Sequence, residues 1–368
     1  MKTLANEILI VDGMNAAHRF RHAYRELATE AGVPSGALFG FVQMIHSLRK
    51  DFPGRAIIIA WESGSCWRYK LYPQYKSARK DNVQNYTDEE KALWVAFKSE
   101  QLQAIEWWLN HMGVLSISLP EYEGDDVIGF MATQFKSLDV VIVSTDSDMC
   151  QLASNERVRI YNPITQCMCY QDTRGALMKH TDFVAHTPEM ALWHKAVIGD
   201  KSDSVPGVYG VGEKTLAGFF TSVPMKDETF LNYLERHRSV LENSKRGRDI
   251  LASRQIILRN LMLMDLRGMY RELGIRKCGA QVPCGLSSWH KHSPWEYLRE
   301  VVKEYEPGQG ITDGWKRDPC KALAFLRKWD FQAGVNHQFW KSMWHEYADN
   351  HELTKQIVWR MIKGKKIK

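Results

Sequence analysis

The sequence predicts an α/β fold on a central, mostly parallel, twisted sheet, and three observations carry that expectation. Short apolar, β-rich runs recur in the first half of the chain, at 8–11, 56–61 and 140–143. Segments with helical periodicity separate them, the alternation of a right-handed crossover sheet. Acidic residues stand where the runs stop: Asp12 after the first, Glu62 after the second, Asp146 and Asp148 beyond Ser144-Thr145 after the third. Ligand sites of such sheets lie beyond the carboxyl ends of the strands, so acids placed there converge on one crevice.

Taken in order, strands are expected at 7–12, 56–62, 114–118, 140–145 and 157–161. A helix over 36–49 follows from the stripe Leu38, Phe41, Val42 and Ile45, and another over 88–111 from Leu102, Ile105 and Leu109, stopping at Gly113. A third begins at Asp125-Asp126, where Ile128, Met131, Ala132 and Phe135 repeat at i, i+3, i+4 and i+7. Residues 64–86 interrupt the alternation, mixing Arg68, Lys70, Lys76, Arg79 and Lys80 with Trp67, Tyr69, Tyr72, Tyr75 and Tyr86. Two readings stand for this stretch: cations and rings for a single-stranded nucleic acid, or a solvated loop packing its tyrosines. Its length and its place after a strand end favour the first. Seven of the 13 tryptophans lie beyond residue 288, and Trp340, Met343, Trp344 and Tyr347 form one helical stripe. A folded helical extension is expected there, its rings serving as core.

At 368 residues the chain can bury a sizeable core, and 44% hydrophobic with 25% charged residues is ordinary for a globular protein. The 49 basic residues exceed the 43 acidic ones, giving +6. With many acids gathered in one cluster, the remaining surface is more basic and suits a polyanionic partner. Seven cysteines without a regular framework read as reduced thiols. The spacing of Cys278, Cys284, His290, His292 and Cys320 does not fit a zinc module. The apolar run before Asp12 is too short for a signal peptide, and no run approaches the ~18 residues of a membrane span. A cytoplasmic protein is expected, acting in host cytoplasm if phage-encoded.

The acids carry the chemistry. Glu123, Asp125 and Asp126 stand in Glu-Tyr-Glu-Gly-Asp-Asp, and Asp200 and Asp203 in Gly-Asp-Lys-Ser-Asp. Taken singly, such residues favour helix starts or turns; recurring together at strand ends, they need cations. Oxygen-only ligands suit Mg²⁺ or Mn²⁺, and two such ions about 4 Å apart can drive phosphodiester hydrolysis. Directly afterwards, Gly207, Gly210 and Gly212 let backbone approach a phosphate, with Lys214 and Thr215 at the helix start to hold it.

The motifs Val-Asp-Gly-Met-Asn-Ala-Ala-His-Arg-Phe, Trp-Arg-Tyr-Lys-Leu-Tyr-Pro-Gln-Tyr-Lys-Ser-Ala-Arg, Glu-Gly-Asp-Asp, Ser-Thr-Asp-Ser-Asp and Gly-Asp-Lys-Ser-Asp resemble the flap endonuclease and phage-type 5′-nuclease family. That family includes the 5′-nuclease domain of bacterial DNA polymerase I. The resemblance covers roughly 6–267. It implies a PIN-like 5′-nuclease fold in domain 1–267, with a helical arch at about 64–111 and a helix-three-turn-helix at about 196–222, and leaves 268–368 as the extension. It implies that Asp12, Glu123, Asp125 and Asp146 serve a first metal and Asp148, Asp200 and Asp203 a second, with Asp126 nearby. By the same resemblance Lys76 and Arg79 are catalytic cations at the arch base. Arg19, His22 and Lys195 lie near the scissile phosphate, Arg68 and Tyr75 belong to the nucleic-acid-binding arch, and residues 207–215 hold duplex backbone, in many members with a monovalent cation. The family's aspartate after the second strand is out of register here, and Glu62 is expected in its place. No polymerase domain follows, so a free-standing nuclease is expected. The implied activity is two-metal 5′-3′ exonuclease and flap cleavage of DNA at flaps, nicks and ends, with a replication polymerase or single-strand-binding protein as partner. Alternatives are removal of RNA primers from RNA–DNA hybrids and non-catalytic binding of branched DNA.

Overall fold

The computed structural model describes residues 7–268 apart from 64, 65, 113, 120, 135–137, 155, 156, 174, 175, 179–186 and 221–229. The extension expected beyond 268 and the last residues of the expected helix-three-turn-helix lie outside the described residues. From β1 (Glu7–Asp12) the chain enters α1 (Gly13–Ala23) and α2 (Gly36–Asp51), then returns as β2 (Ala56–Trp61). The segment expected from sequence to form an arch follows as α3 (Arg68–Leu71), α4 (Ser77–Gln84), α5 (Asp88–Ala96) and α6 (Leu102–His111), the last two joined by a π-helical turn at Phe97–Gln101. Next come β3 (Leu115–Ser118), α7 (Gly124–Gln134), β4 (Asp139–Val143), a 3₁₀ turn at Ser147–Leu152, β5 (Val158–Asn162), β6 (Cys167–Gln171) and β7 (Leu177–Met178). A helical half follows: α8 (Pro188–Ile198), a hairpin of β8 (Gly199–Asp200) and β9 (Val205–Pro206), α9 (Glu213–Phe220), α10 (Phe230–Arg236), α11 (Arg238–Glu242), α12 (Lys245–Ala252) and α13 (Arg254–Met264).

The described strands form a seven-stranded sheet ordered β3-β2-β1-β4-β5-β6-β7. Pairs from β3 to β5 are parallel, with Ile10 opposite both Ile58 and Ile142, and β6 and β7 add an antiparallel edge. The five expected strands are present with ends shifted by a residue or two. β6 and β7 were not anticipated, because their largely half-buried residues show no alternation. α1 was likewise unforeseen, since its start is set by Asp12 capping Asn15 N rather than by an apolar stripe.

Buried on both faces, β1 reads as a continuous apolar run. Ile8 and Ile10 meet Val127, Ile128, Trp193, Val197, Ile257 and Leu261 from α7, α8 and α13. Leu9 and Val11 meet Ala16, Leu38, Phe41, Ile45, Ile105 and Trp108 from α1, α2 and α6. With helices on both faces, the polar ends of the strands are left to form the site.

Below that site lies a buried ion pair. Arg68, its side chain 3% exposed, donates through Nη1 and Nη2 to Asp126 at 2.5 and 2.8 Å, and through Nε to Leu263 O at 2.7 Å. It also stands 3.1 Å from Glu123, and Trp67 Nε1 donates to Asp126 at 3.2 Å. One guanidinium thereby ties the arch root to the start of α7 and the end of α13. This geometry revises two expectations. Arg68 is buried and fully engaged, so it cannot reach a nucleic acid. Asp126 turns away from the crevice to neutralise Arg68 and is not placed as a metal ligand. Removing one member of such a pair leaves a buried charge uncompensated, so Arg68→Ala is expected to lower stability by about 3–5 kcal/mol. Arg68→Lys should rescue little, because lysine lacks the planar fork. Urea unfolding of both variants measures this, and a wild-type midpoint for either would refute the role.

Candidate functional site

Parallel pairing sets the site. Because Val11 lies opposite Val143, the strands end side by side and Asp12 meets Ser144, which donates to it at 3.0 Å. Asp12 also accepts from Asn15 N at 3.0 Å, and Thr145 Oγ1 donates to the Asn15 side chain at 2.8 Å. Beyond β4, Asp146 caps the 3₁₀ turn by accepting from Asp148 N at 2.8 Å, which points both acids the same way. The start of α7 adds Glu123 and Asp125. The result is a cavity of about 1230 Å³ lined by eight carboxylates, those of Asp12, Glu62, Glu123, Asp125, Asp146, Asp148, Asp200 and Asp203.

The β8–β9 hairpin brings the last two. Gly199, at φ +83, packs so tightly against the returning strand that a Cβ there would stand 2.4 Å from Gly207 N and Val205 O. That closeness bends the chain so that Asp200 accepts from Ser202 N at 2.8 Å and Ser202 Oγ at 2.7 Å. The same hairpin holds the arch base. Lys76 N donates to Asp203 O at 2.8 Å, Ala78 N to Ser204 Oγ at 3.0 Å, and Arg79 Nη2 to Asp203 Oδ1 at 2.5 Å. Lys76 sits in the left-handed region at φ 55, a strained conformation for a side-chain-bearing residue, and its ammonium pairs with Glu123. Tyr75, 4% exposed, places its hydroxyl 2.9 Å from both Glu123 and Asp203 and donates to one at a time. Tyr75 therefore braces two acids, a correction to its expected place on a nucleic-acid surface.

The charges divide into two groups. Burial, then Asp146 and Glu62, push Asp12 up to about 6 despite its two hydrogen bonds. Burial and Asp146 push Asp148 up to about 6. Burial, Asp12, Asp146 and Glu123 hold Asp125 well above the carboxylate range. Against burial, Lys195 and Ser202 hold Asp200 down at about 2, and Arg68 and Lys76 keep Glu123 low. Lys195 bridges Asp148 and Asp200, 2.9 Å from the latter, and those two acids keep its ammonium charged despite burial.

Arg19, His22, Lys76, Arg79 and Lys195 line the cavity with the acids, as does Glu62. Glu62 is half-exposed, 3.5 Å from Lys98. Gly207, Gly210, Gly212, Lys214 and Thr215 stand apart from the cavity on the hairpin's far side and the start of α9. Sequence reasoning missed His18 and Lys98, which also line the cavity. His18 stacks on Trp94 at 5.7 Å, and burial with nearby Lys98 pulls it down to about 4. The stripe Trp94, Phe97, Lys98 and Gln101 was the available signal, because helical spacing turns Lys98 toward the same side as two aromatics.

The donor set fits a hard divalent cation: only carboxylate oxygens crowd the centre, and three of them resist ionising together. Among the described residues no group of three acids, histidines or cysteines is already arranged to hold an ion, and Lys76 and Lys195 engage Glu123, Asp148 and Asp200. No helix among these residues is long and apolar enough to cross a membrane.

Residues 7–182 match the model of the 5′-3′ exonuclease N-terminal, resolvase-like domain. A 5′-3′ exonuclease of Aquifex aeolicus is 33% identical over 218 residues, covering 58% of this chain and 68% of that protein. DNA polymerase I of Pseudomonas aeruginosa is 31% identical over 219 residues, 59% of this chain but only 22% of the polymerase. Among solved structures, T5 5′-exonuclease with bound zinc aligns with a TM-score of 0.60 at 23% identity, covering 76% of this chain and 97% of that one. The T5 D15 flap endonuclease in complex with DNA and metal ions aligns with a TM-score of 0.54 at 22% identity, covering 76% and 96%. The mostly parallel sheet with helices on both faces is the fold of these T5 proteins.

The raised carboxylates have a consequence for stability. A group whose folded pKa lies above its unfolded value of 3.8 costs the folded state stability as pH rises through the folded value, here about 6 for Asp12. Asp12→Asn removes that cost while its amide oxygen still accepts from Asn15 N. In chelator, the variant's melting temperature is expected to exceed wild type by a margin that grows between about pH 4 and pH 7. Thermal melts across that range check it; a margin that shrinks with pH would refute the crowding.

Proposed function

The chain belongs to the 5′-3′ exonuclease family, and on that premise we propose that it is a divalent-metal-dependent nuclease cutting DNA near a free 5′ end, at flaps, nicks and ends. The observation that carries this reading is one cavity in which eight carboxylates, from strand ends, the start of α7 and the turns beside them, are gathered with Lys76 and Arg79. The T5 relatives crystallised with divalent ions and with DNA lend support. Two Mg²⁺ or Mn²⁺ ions, one held by Asp12, Glu123, Asp125 and Asp146 and one by Asp148, Asp200 and Asp203, would supply an activated water and a counter-charge for the leaving oxygen.

The chain's own residues do the rest. Lys76 and Arg79, fixed by the hairpin, present positive charge where the phosphate gathers negative charge. Lys195 balances Asp148 and Asp200 and orients both. Arg19 extends the cationic wall along the incoming strand, and His22, which burial and the nearby Arg21 and Arg25 hold toward its neutral form, lines the cavity beside it. The arch admits the unpaired 5′ strand, and the glycine turn with Lys214 and Thr215 holds duplex beside it.

Mapping product ends from labelled flap, nicked, blunt and RNA–DNA hybrid substrates, with Mg²⁺ and with chelator, tests this reading. Cleavage near the 5′ end of DNA that chelator stops is the expected result, and faster cutting of the hybrid would reassign the substrate to RNA primers. Asp125→Asn should lose cleavage yet still bind duplex. Lys76→Ala should slow the single-turnover rate by on the order of a hundredfold or more, as loss of an electrostatic contact in the transition state does. Near-wild-type rates for either would sink the assignment.

Glu62 provides a further test. As a member of the metal site at the end of β2, its replacement by Gln should raise the Mg²⁺ concentration needed for half-maximal rate, with rescue at high metal. Glu62→Asp should be no better, being a methylene too short for this register. An unchanged Mg²⁺ titration would leave Glu62 as no more than the counter-ion of Lys98.

A further inference from the structure

Most aromatic rings among the described residues are packed, but Tyr209 is 93% exposed. It sits on a turn with little freedom. Val208 and Val211 on either side are buried, Val208 N donates to Val197 O at 2.7 Å, and Val211 N closes the turn on Val208 O at 3.1 Å. Gly210 follows at φ +70, the third-position geometry of a type II turn, which leaves Tyr209 at the outward corner. From beneath, fully buried Asn260 donates to both Ala196 O and Pro206 O at 2.9 Å, pinning the strand that leads into the turn to α8 and α13. A lone exposed tyrosine on a loose loop is unremarkable in energy. Here the backbone holds the ring out rigidly.

Cations flank it. A Cβ at position 210 would stand 2.4 Å from the Arg246 guanidinium, so Arg246 lies flat against the turn. Arg246 belongs to the first turn of α12, in Lys245-Arg-Gly-Arg248, with no acid among the opening residues. The amino end of a helix already carries positive partial charge, so three cations there are unfavourable in the free protein and suit an anionic partner. Asp249, 3.2 Å from Arg246, offsets only part of that charge. Four residues after Gly210, Lys214 lies in the first turn of α9 and is exposed.

We propose that Tyr209 is a duplex-contact residue, packing its ring on the sugars of one strand while Arg246 and Lys214 take the phosphates on either side. An exposed aromatic ring next to the residue that Arg246 packs against, with the exposed Lys214 shortly after it in the chain, suits an alternating sugar-phosphate edge. The inference rests on the reading of residues 207–215 as a duplex clamp.

Binding of a blunt DNA duplex in chelator, measured by fluorescence anisotropy at several salt concentrations, tests it. Tyr209→Ala should lose affinity on the order of tenfold, what burying one aromatic ring contributes, with an unchanged slope of log K against log salt. Tyr209→Phe should bind like wild type. Arg246→Ala should flatten the slope by about 0.9, the signature of one lost phosphate contact. Melting temperatures should stay at the wild-type value for the exposed tyrosine variants. If Lys214→Ala weakens binding but Tyr209→Ala does not, the clamp stands and this inference falls. If neither variant changes affinity, the clamp reading fails and takes the inference with it. A loss in Tyr209→Ala accompanied by a flattened slope would also overturn it, because the effect would then come from displaced cations and not from the ring.

Discussion

The Arg68 guanidinium is the interaction on which the rest of the molecule depends. Three separate stretches of chain meet on it: the arch root, the start of α7 and the carboxyl end of α13. Asp126 takes its fork, which leaves Glu123, three residues earlier, with one oxygen for Lys76 and one for Tyr75 and Arg68. A buried cation of this kind is expensive unless every donor finds a partner, so its presence dictates where its neighbours stand. Placing Glu123 places Lys76, and placing Lys76 orients α4. The site is therefore built upward from a pair that never meets solvent.

Above that pair the problem reverses, from a cation needing acids to acids needing cations. Asp12, Asp125 and Asp148 sit where burial and mutual repulsion resist their ionisation, while Asp200 and Glu123 are held ionised by lysine and arginine. The protein's own cations reach the rim of the cluster through Lys76, Arg79 and Lys195, and the centre is left to carboxylates. A divalent ion entering there would find negative charge already desolvated and already aligned, which is the condition for strong electrostatics in a catalytic cavity. The strain at Lys76 belongs to the same arrangement. Its left-handed backbone is held by the hairpin through Asp203 O and its side chain by Glu123.

The hairpin at 199–206 gives the molecule its second organising point. On one side it fixes Asp200 and Asp203 and grips the arch base; on the other it runs directly into the turn that carries Tyr209. A contact made at the turn is thus separated from the cavity by only a few residues of tightly hydrogen-bonded chain. Rigid connection of that sort lets duplex position and strand position be set together without a moving part.

Much of this was legible in the sequence, because some of its rules are local. Apolar runs ending in acids announce a parallel sheet with a polar crest; the five expected strands are present, and Asp12, Asp146 and Asp148 fall where that rule puts them. Glycines 207, 210 and 212 likewise mark a turn by their chemistry alone. What sequence could not decide is which charges go inside. Arg68, Tyr75 and Asp126 look like their neighbours Lys70, Tyr72 and Asp125 in any residue-by-residue reading, yet Arg68 and Asp126 are consumed by each other and Tyr75 by Glu123 and Asp203, while Lys70 pairs with Glu121 at the surface and Asp125 faces the cavity. That difference is set by long-range geometry, by α13 returning to within 2.7 Å of a guanidinium almost two hundred residues earlier in the chain. Lys98 and His18 came to the site by the same route, through helices packing together. Periodicity tells which residues share a face; only tertiary packing says what that face meets, because desolvation and pairing are properties of the assembled neighbourhood and not of the chain.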